Sequence, residues 1–162
     1  MRLIDMPAFW AVLADCVAWF IIHMGVSLCT LHLPDCWFDR DTFLYRIRSW
    51  EQSGLFWQRS FRVRSWKHRL PDGAAILKKG FAKKQMKASN PAWLSLFIRE
   101  SRRAELTHWI IMPFSLLFFL WNPPAVGWFM ILYAVIMNLP CIIAQRFNRP
   151  RFQHILKQRQ KA

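Results

Sequence analysis

The chain has 162 residues, enough for one small domain, and it combines two properties that soluble globular domains rarely share. Hydrophobic residues make up 54% of it, with ten tryptophans and fourteen phenylalanines, yet the formal net charge is +14. An apolar membrane part beside a basic surface part accounts for both properties. The basic residues lie outside the apolar runs and next to aromatic residues, which favours anionic lipid or a phosphate-bearing cosubstrate over nucleic acid.

The first predicted element is a membrane-spanning helix within residues 1–37. The mostly apolar run at 7–31 is longer than the about 20 residues that a helix needs to cross the hydrocarbon core. No small-residue cleavage site follows it, so we expect a retained helix rather than a cleaved signal peptide. Cys29, His32 and Cys36 have a metal-like spacing, but they lack a nearby fourth ligand, and we predict no metal site.

Residues 38–89 form the second predicted segment, which is basic and rich in aromatic residues. Lys and Arg far outnumber Asp and Glu there, and Trp and Phe are interleaved with them. This pattern predicts amphipathic helices in the headgroup layer, interrupted at Ser53-Gly54 and at the Pro-Asp-Gly turn of 71–73. An RNA-binding face is the alternative, since interleaved aromatic and basic residues also stack bases. Apolar segments on both sides favour lipid contact.

Residues 90–162 are predicted to form a helical hairpin of two spans with a basic C-terminal tail. Ser89-Asn90-Pro91 is a helix start, and we expect the helix to run through Trp121. The Asn-Pro-Pro stretch at 122–124 is a tight turn, and 125–144 is the last span. The predicted fold is therefore an all-α membrane protein with about three transmembrane helices and basic interfacial helices in the middle segment. Positive-inside counting places the middle segment and the C-terminus in the cytoplasm.

A polar group stands directly before the apolar run of the second span. Glu105 precedes His108 by one helical turn, so its carboxylate is able to hold the imidazole in one tautomer, as a general base requires. The alternative is that Glu105 only pairs with Arg102 and that His108 is an interfacial anchor. Asn138 lies about as far from the Asn-Pro-Pro turn as His108 does, so we expect these two side chains at one level.

Further polar residues are candidates for substrate binding. His23 lies inside the first span. Polar groups inside a membrane span usually take part in the function of the protein or pair with one another. The alternative is that His23, His108 and Asn138 hydrogen-bond across helices only to hold them together. Other residues, at the cytoplasmic ends of the second and third spans, suit a phosphate or carboxylate headgroup, although such ends are also ordinary positive-inside stops. They are Arg103, Asn148, Arg149 and Arg151.

The chain resembles the glycosyl-4,4'-diaponeurosporenoate acyltransferases, small bacterial membrane enzymes of carotenoid biosynthesis. The resemblance covers almost the whole chain and rests on the order and spacing of several stretches. They are AWFIIH at 18–23, DRDTFL at 39–44, WKHRLPDGA at 66–74, GFAKK at 80–84, RAELTHW at 103–109 and PCIIAQRFNR at 140–149. The resemblance implies transfer of a fatty acyl group onto a sugar hydroxyl of a glycosylated carotenoid acid, the last step toward staphyloxanthin-type pigments.

The residues and the resemblance together lead to the hypothesis of a membrane acyltransferase. His108, oriented by Glu105, would take the proton from the hydroxyl that attacks an acyl thioester, while His23 and Asn138 position the hydroxyl or the oxyanion. We expect acyl-CoA or an acyl carrier protein as cosubstrate, no further cofactor, and a basic middle segment that holds the donor phosphates. The expected partners are a glycosylated carotenoid or other glycolipid acceptor, the fatty acyl donor and membrane lipid, with no nucleic acid. The expected location is the bacterial cell membrane.

Two other functions remain open from the sequence. One is a non-catalytic membrane adaptor that binds anionic lipid or a partner protein through the basic aromatic segment. The other is a metal-dependent membrane hydrolase that uses His23, His108 and Glu105 as ligands. We rank the acyltransferase first and the hydrolase last.

Overall fold

The computed structural model describes residues 4–70 and 91–161, and within them every regular element is a helix, with no strand. The α-helices in this part are α1 (Ala8–His32), α2 (Leu55–Phe61), α3 (Val63–Trp66), α4 (Pro91–Ile111) and α5 (Pro124–Arg159). Short 3-10 helices lie at Asp35–Phe38, Ser49–Gly54, Lys67–Arg69 and Met112–Leu120. The prediction of an all-helical chain is confirmed for these residues.

Two of the described helices, α1 and α5, are long and apolar enough to cross a membrane. The most apolar windows of α1 and α5 have mean hydropathies of 1.9 and 2.1. The first helix coincides with the predicted first span, and the N-terminal part of α5 coincides with the predicted last span. At 36 residues, α5 is longer than the roughly 20 residues that a crossing needs, so a basic tail extends beyond its apolar part. The two helices indicate membrane association.

The segment of the predicted middle span changes its helical geometry. Helix α4 begins at Pro91, as its capping pattern predicts, and ends at Ile111, where Met112–Leu120 continues as a 3-10 helix. Pro113 lacks a backbone N–H and its ring crowds the preceding turn, which explains the change at this point. Neither part meets the criteria that α1 and α5 meet. A third crossing therefore stays a prediction.

The chain divides into two compact units, and each is described by itself. The first contains Met1–His32 and Leu106–Leu139, and the second contains Leu33–Glu105 and Pro140–Ala162. Each unit gathers stretches that are distant in sequence. The predicted segments 1–37, 38–89 and 90–162 divide the chain by sequence and not by compactness. They stay a prediction.

The first unit is built around an aromatic and aliphatic core. Its buried members are Trp19, Val26, Ile111, Phe118 and Ala134. Trp19 stacks on Phe118, with 4.7 Å between ring centroids. The buried carboxylate of Asp15 accepts hydrogen bonds from Trp121 Nε1 at 2.8 Å and from Asn122 Nδ2 at 2.7 Å. An isolated buried carboxylate is costly, so separation of Asp15 from these two donors is unfavourable. The hydrogen bonds therefore hold α1 against the turn that precedes α5.

The second unit holds the described part of the basic aromatic segment against α4 and the C-terminal part of α5. Buried apolar residues from all three regions form its core, namely Phe38, Tyr45, Val63, Leu94, Phe97, Ile98 and Phe147. The predicted break at Ser53-Gly54 is present, with positive φ angles of 54° and 90°. A Cβ on Gly54 would lie 2.9 Å from the carbonyl oxygen of Phe147, so the approach to α5 requires glycine. The predicted turn at 71–73 lies outside the described residues.

Candidate functional site

Helices α4 and α5 bring two of the predicted site residues together in the first unit. His108 Nδ1 lies 2.8 Å from Asn138 Oδ1, within hydrogen-bond distance. The prediction that these side chains lie at one level is therefore confirmed. His108 is half-buried and Asn138 is 1% exposed. An unpaired amide would be costly in such a place, so the contact satisfies a polar group that has little access to water.

The amide of Asn138 determines which imidazole nitrogen of His108 carries the proton. Its Nδ2 donates to the carbonyl oxygen of Ala134 at 2.8 Å, so Oδ1 is the atom that faces the imidazole. An amide oxygen only accepts, and Nδ1 must therefore be the donor. In the neutral imidazole this leaves the lone pair on Nε2.

A second polar contact lies beside His108 in the sequence. Thr30 Oγ1 donates to the carbonyl oxygen of Ser27 at 3.0 Å, and it lies 2.8 Å from Thr107 Oγ1. The pair joins α1 to α4 within the first unit.

His23, the third predicted polar group of the apolar helices, lies in an aromatic environment. Its ring centroid is 5.6 Å from that of Trp19, which also contacts Tyr133 at 5.3 Å. The side chain is half-buried. The structure thus joins His108 to Asn138 directly and places His23 in the ring cluster around Trp19.

Glu105 has partners that the sequence analysis did not predict. Its Oε1 accepts from Arg146 Nη1 and its Oε2 from Arg149 Nη1, both at 2.6 Å. Arg146 also donates to the two oxygens of Glu51, at 2.9 and 2.6 Å. Both carboxylates and Arg149 are 0% exposed. We call these four side chains the ionic network. Asn138 is the residue that contacts Nδ1 of His108, and the orientation of the imidazole by Glu105 stays a prediction.

Glu51 keeps its charge inside this network. Burial opposes ionisation, but hydrogen bonds outweigh it and hold the pKa of Glu51 below the ordinary value of 4.5. The donors are the guanidinium of Arg146, the backbone N–H of Arg48 and Trp57 Nε1. Glu51 is therefore ionised at neutral pH. The ionic network consists of two arginines and two acidic residues, so that opposite charges are paired, which is the condition under which buried charges are tolerated.

Two of the predicted headgroup-binding arginines are engaged in internal contacts. Arg103 forms ion pairs with Asp35 and Glu100. Arg149 donates to the carbonyl oxygen of Tyr45 at 2.8 Å, in addition to its place in the ionic network. Their exposed fractions are 6% and 0%. A headgroup would have to displace these internal partners, so the substrate-binding role of both arginines stays a prediction.

The other two predicted headgroup-binding residues have different surroundings. Asn148 Oδ1 accepts a hydrogen bond from Lys67 Nζ at 2.7 Å. The guanidinium carbon of Arg151 lies 3.9 Å from the ring centroid of Phe147. Arg64 and Arg151 are both close enough to act electrostatically on Lys67. We call Arg64, Lys67 and Arg151 the basic surface group.

Membership of these groups was not predicted for Glu51, Arg64, Lys67 or Arg146. Arg146 and Glu51 are 95 residues apart, and Lys67 and Asn148 are 81 residues apart. Such pairing has no local spacing that could reveal it. The one available signal is that Glu51 is among the few acids of a strongly basic segment, where an acid has many possible partners.

The Cys29, His32 and Cys36 stretch has no metal-like arrangement. His32 Nδ1 lies 2.8 Å from the carbonyl oxygen of Leu28, and both cysteines are exposed. Within residues 4–70 and 91–161, no three or more His, Cys, Asp and Glu side chains are grouped so that they could hold a metal ion.

Comparison with known proteins places the chain in a family. Residues 34–158 match the family model described as glycosyl-4,4'-diaponeurosporenoate acyltransferase. The chain belongs to this family. Proteins of that name from Staphylococcus aureus strains bovine RF122 / ET3-1, USA300 and NCTC 8325 / PS 47 are each 34% identical to it over 140 residues. The alignments cover 86% of this chain and 84% of each relative.

Membership of the glycosyl-4,4'-diaponeurosporenoate acyltransferase family makes the chain an enzyme of the acyltransferase class. The matched stretch contains His108 and Asn138, the ionic network and the basic surface group, whereas His23 precedes it. No solved structure is significantly similar to the chain.

Proposed function

We propose that this chain transfers a fatty acyl group from a thioester donor to a sugar hydroxyl of a glycosylated carotenoid acid or a related glycolipid. The acceptor is supported by the name of the Staphylococcus aureus relatives, glycosyl-4,4'-diaponeurosporenoate acyltransferase. The mechanism is supported by one observation above all, the hydrogen bond between His108 Nδ1 and Asn138 Oδ1. This bond leaves Nε2 of the neutral imidazole as a base.

His108 acts as the general base in this proposal. Its Nε2 removes the hydroxyl proton while the hydroxyl oxygen attacks the carbonyl carbon of the thioester. A new C–O bond forms, the C–S bond breaks, and the imidazolium returns its proton to the leaving thiolate. Asn138 Oδ1 accepts a hydrogen bond from Nδ1–H throughout, which stabilises the positive imidazolium and keeps the ring in place. No acyl-enzyme intermediate is needed.

The remaining predicted site residues have separate roles in the proposal. His23 is a polar group on an apolar helix beside Trp19, and we assign it a contact with the acceptor sugar. Both carboxylate oxygens of Glu105 are bonded to arginines. We therefore assign Glu105 to the support of the fold, and the orientation of the imidazole to Asn138.

The proposed enzyme is a multi-pass protein of the bacterial cell membrane. The apolar parts of α1 and α5 are the candidate crossings. Lys and Arg are concentrated in the middle segment and after the apolar part of α5, which favours a cytoplasmic position for both. This orientation presents the basic residues to a donor that is made in the cytoplasm and leaves the lipid tails of the acceptor in the bilayer.

The proposal is tested by lipid mass spectrometry on cells that are supplied with a glycosylated carotenoid acid. Cells with the native chain should contain an acceptor whose mass has risen by one fatty acyl group, and cells with the empty vector should not. His108→Gln, compared at equal amounts of membrane-inserted protein, should lower the product about 10²- to 10⁴-fold, the range expected for loss of a general base.

Two results would count against this function. An undiminished product with His108→Gln would remove the histidine from the mechanism. If carotenoids and all other glycolipids are the same with the native chain as with the empty vector, acyl transfer is excluded and the adaptor hypothesis is favoured. A mass gain on a different glycolipid would keep the chemistry and change only the acceptor.

A further inference from the structure

Lys67 has one hydrogen-bond partner and no carboxylate in the described part of the chain. Its ammonium group donates to Asn148 Oδ1 at 2.7 Å and lies 5.0 Å from the ring centroid of Phe147. A lysine ammonium has three N–H donors. The contact with Asn148 uses one of them and holds the side chain, which is half-buried, in a fixed position. No other described residue accepts a hydrogen bond from the remaining donors, so they can bind a ligand.

Arg151 lies against the same aromatic ring. Its guanidinium carbon is 3.9 Å from the ring centroid of Phe147, a stacking distance at which the planar group keeps its edge free for hydrogen bonds. Phe147 itself is 0% exposed, so it is a rigid base for both cations. Within residues 4–70 and 91–161, the guanidinium groups of Arg151 and Arg64 have no hydrogen bond or ion pair to another side chain or to a carbonyl group.

Among the residues that the structure describes, no acid opposes the positive charges of this group, and these charges act on one another. Burial lowers the pKa of Lys67, and the nearby charges of Arg151 and Arg64 lower it further. By contrast, Arg99, Arg102 and Arg103 in the same unit each pair with at least one carboxylate. Cations held together without acids are costly in the free protein, and a bound anion relieves that cost.

We propose that Lys67, Arg64 and Arg151 form a binding site for the phosphate group of a phosphate ester, with Asn148 as the residue that positions the lysine. Arginine forks and an ammonium group suit the several oxygens and the multiple charge of phosphate. Two sources carry this group: a nucleotide-containing acyl donor such as CoA, and the headgroup of an anionic phospholipid. The identification of the acyl donor as the ligand depends on the function proposed above, whereas the phosphate site itself does not.

The site is tested by direct binding to the full-length chain in phosphatidylcholine nanodiscs. Free CoA is titrated by calorimetry against the native chain, Lys67→Gln and Arg151→Gln. Lys157→Gln is the matched control, because Lys157 is an exposed cation on the same helix as Arg151 and its replacement changes the net charge equally. A second arm measures the association of the detergent-solubilised variants with vesicles of phosphatidylglycerol and of phosphatidylcholine.

We expect each site variant to weaken binding of one phosphate ligand about tenfold or more, which corresponds to about 1.4 kcal/mol, while Lys157→Gln stays within twofold of the native chain. If only CoA binding is weakened, the ligand is a soluble phosphate ester of the CoA type. If only binding to phosphatidylglycerol vesicles is weakened, the ligand is a lipid headgroup. Circular dichroism shows whether the variants keep their helices, and Arg64→Gln, at an exposed position, repeats the test with little risk to folding.

The proposal is overturned if the site variants and Lys157→Gln bind both ligands equally, or if the native chain binds neither. The binding experiments need no acyl transfer. A chain that binds CoA through this site but makes no acylated product would therefore reject the proposed function and keep the phosphate site.

Discussion

Arg149 and Arg151 lie close together on α5, yet their surroundings are opposite. Arg149 is fully buried and bonded to Glu105, as part of the ionic network. Arg151 is half-buried, stacks on Phe147 and has no acidic partner among the described residues. Positive charge in this chain therefore serves two purposes. In the ionic network it holds segments of the second unit together, and in the basic surface group it is left available to an anion.

The largest expected effect comes from opening the ionic network. Glu105→Gln leaves the cations of Arg146 and Arg149 buried with one carboxylate between them. Removal of one partner from a buried ion pair costs about 3–5 kcal/mol, so the variant should unfold at a clearly lower temperature or denaturant concentration. Denaturation of the protein in detergent, followed by circular dichroism, measures the change.

Asp35→Asn is the matched control for that variant. Asp35 pairs with Arg99 and Arg103, but its side chain is 58% exposed. Exposed pairs contribute about 0–1 kcal/mol, and the control should stay within that range. Equal stabilities of Glu105→Gln and Asp35→Asn would contradict a structural role for the ionic network.

The comparison is sharpest when the two arginines of α5 are exchanged for the same residue. Arg149→Gln should destabilise the fold by about 3 kcal/mol or more, since Glu105 then keeps a buried charge with fewer donors. Arg151→Gln should change the free energy of unfolding by less than about 1 kcal/mol, and it relieves repulsion within the basic surface group. Phosphate binding should show the opposite order, with the larger loss for Arg151→Gln. Similar stabilities of both variants would remove the distinction between the two groups.

A smaller effect is expected from acid. The pKa of Glu51 is lower in the folded protein than its ordinary value of 4.5. Its charge therefore stabilises the fold fully above about pH 4.5, and this contribution is lost as the pH falls through the lower folded pKa. The free energy of unfolding of the native chain should fall in that range more steeply than that of Glu51→Gln. Parallel curves for the two proteins would show that Glu51 is not held in its charged form.

The smallest expected effect is that of salt on stability. A rise in salt from about 0.05 to 0.5 M screens exposed charges over a few ångströms and screens buried pairs much less. Phosphate binding at the basic surface group should weaken severalfold, while the unfolding temperature changes by only a few degrees. A large loss of stability in salt would indicate that the ionic network is open to water.

Local patterns predicted much of the fold. The apolar runs identified α1 and the first part of α5, and the Asn-Pro pair at 90–91 identified the start of α4. His108 and Asn138 could be matched because both are counted in helical turns from the same Asn-Pro-Pro turn. The change to a 3-10 helix after Ile111 follows from Pro113, which the sequence marked only as the site of a kink.

The partners of Glu105 could not be predicted in the same way. A carboxylate that is one turn from a histidine and three residues from an arginine has two local partners, and the sequence offers no reason to look further. The structure pairs it with Arg146 and Arg149, which are 41 and 44 residues away. Only tertiary packing brings these helices together. The same holds for Lys67 and Asn148, whose contact depends on how the basic aromatic segment lies against α5.

The most direct test of the account is the initial rate of acyl transfer in isolated membranes that contain the native chain, His108→Gln or His32→Gln. His32 is an exposed histidine at the end of α1 and serves as the control for histidine replacement. We expect a rate at least about 100-fold lower for His108→Gln and a rate within twofold of native for His32→Gln, at equal amounts of protein. A His108→Gln rate close to that of the native chain would contradict the assignment of His108 as the general base.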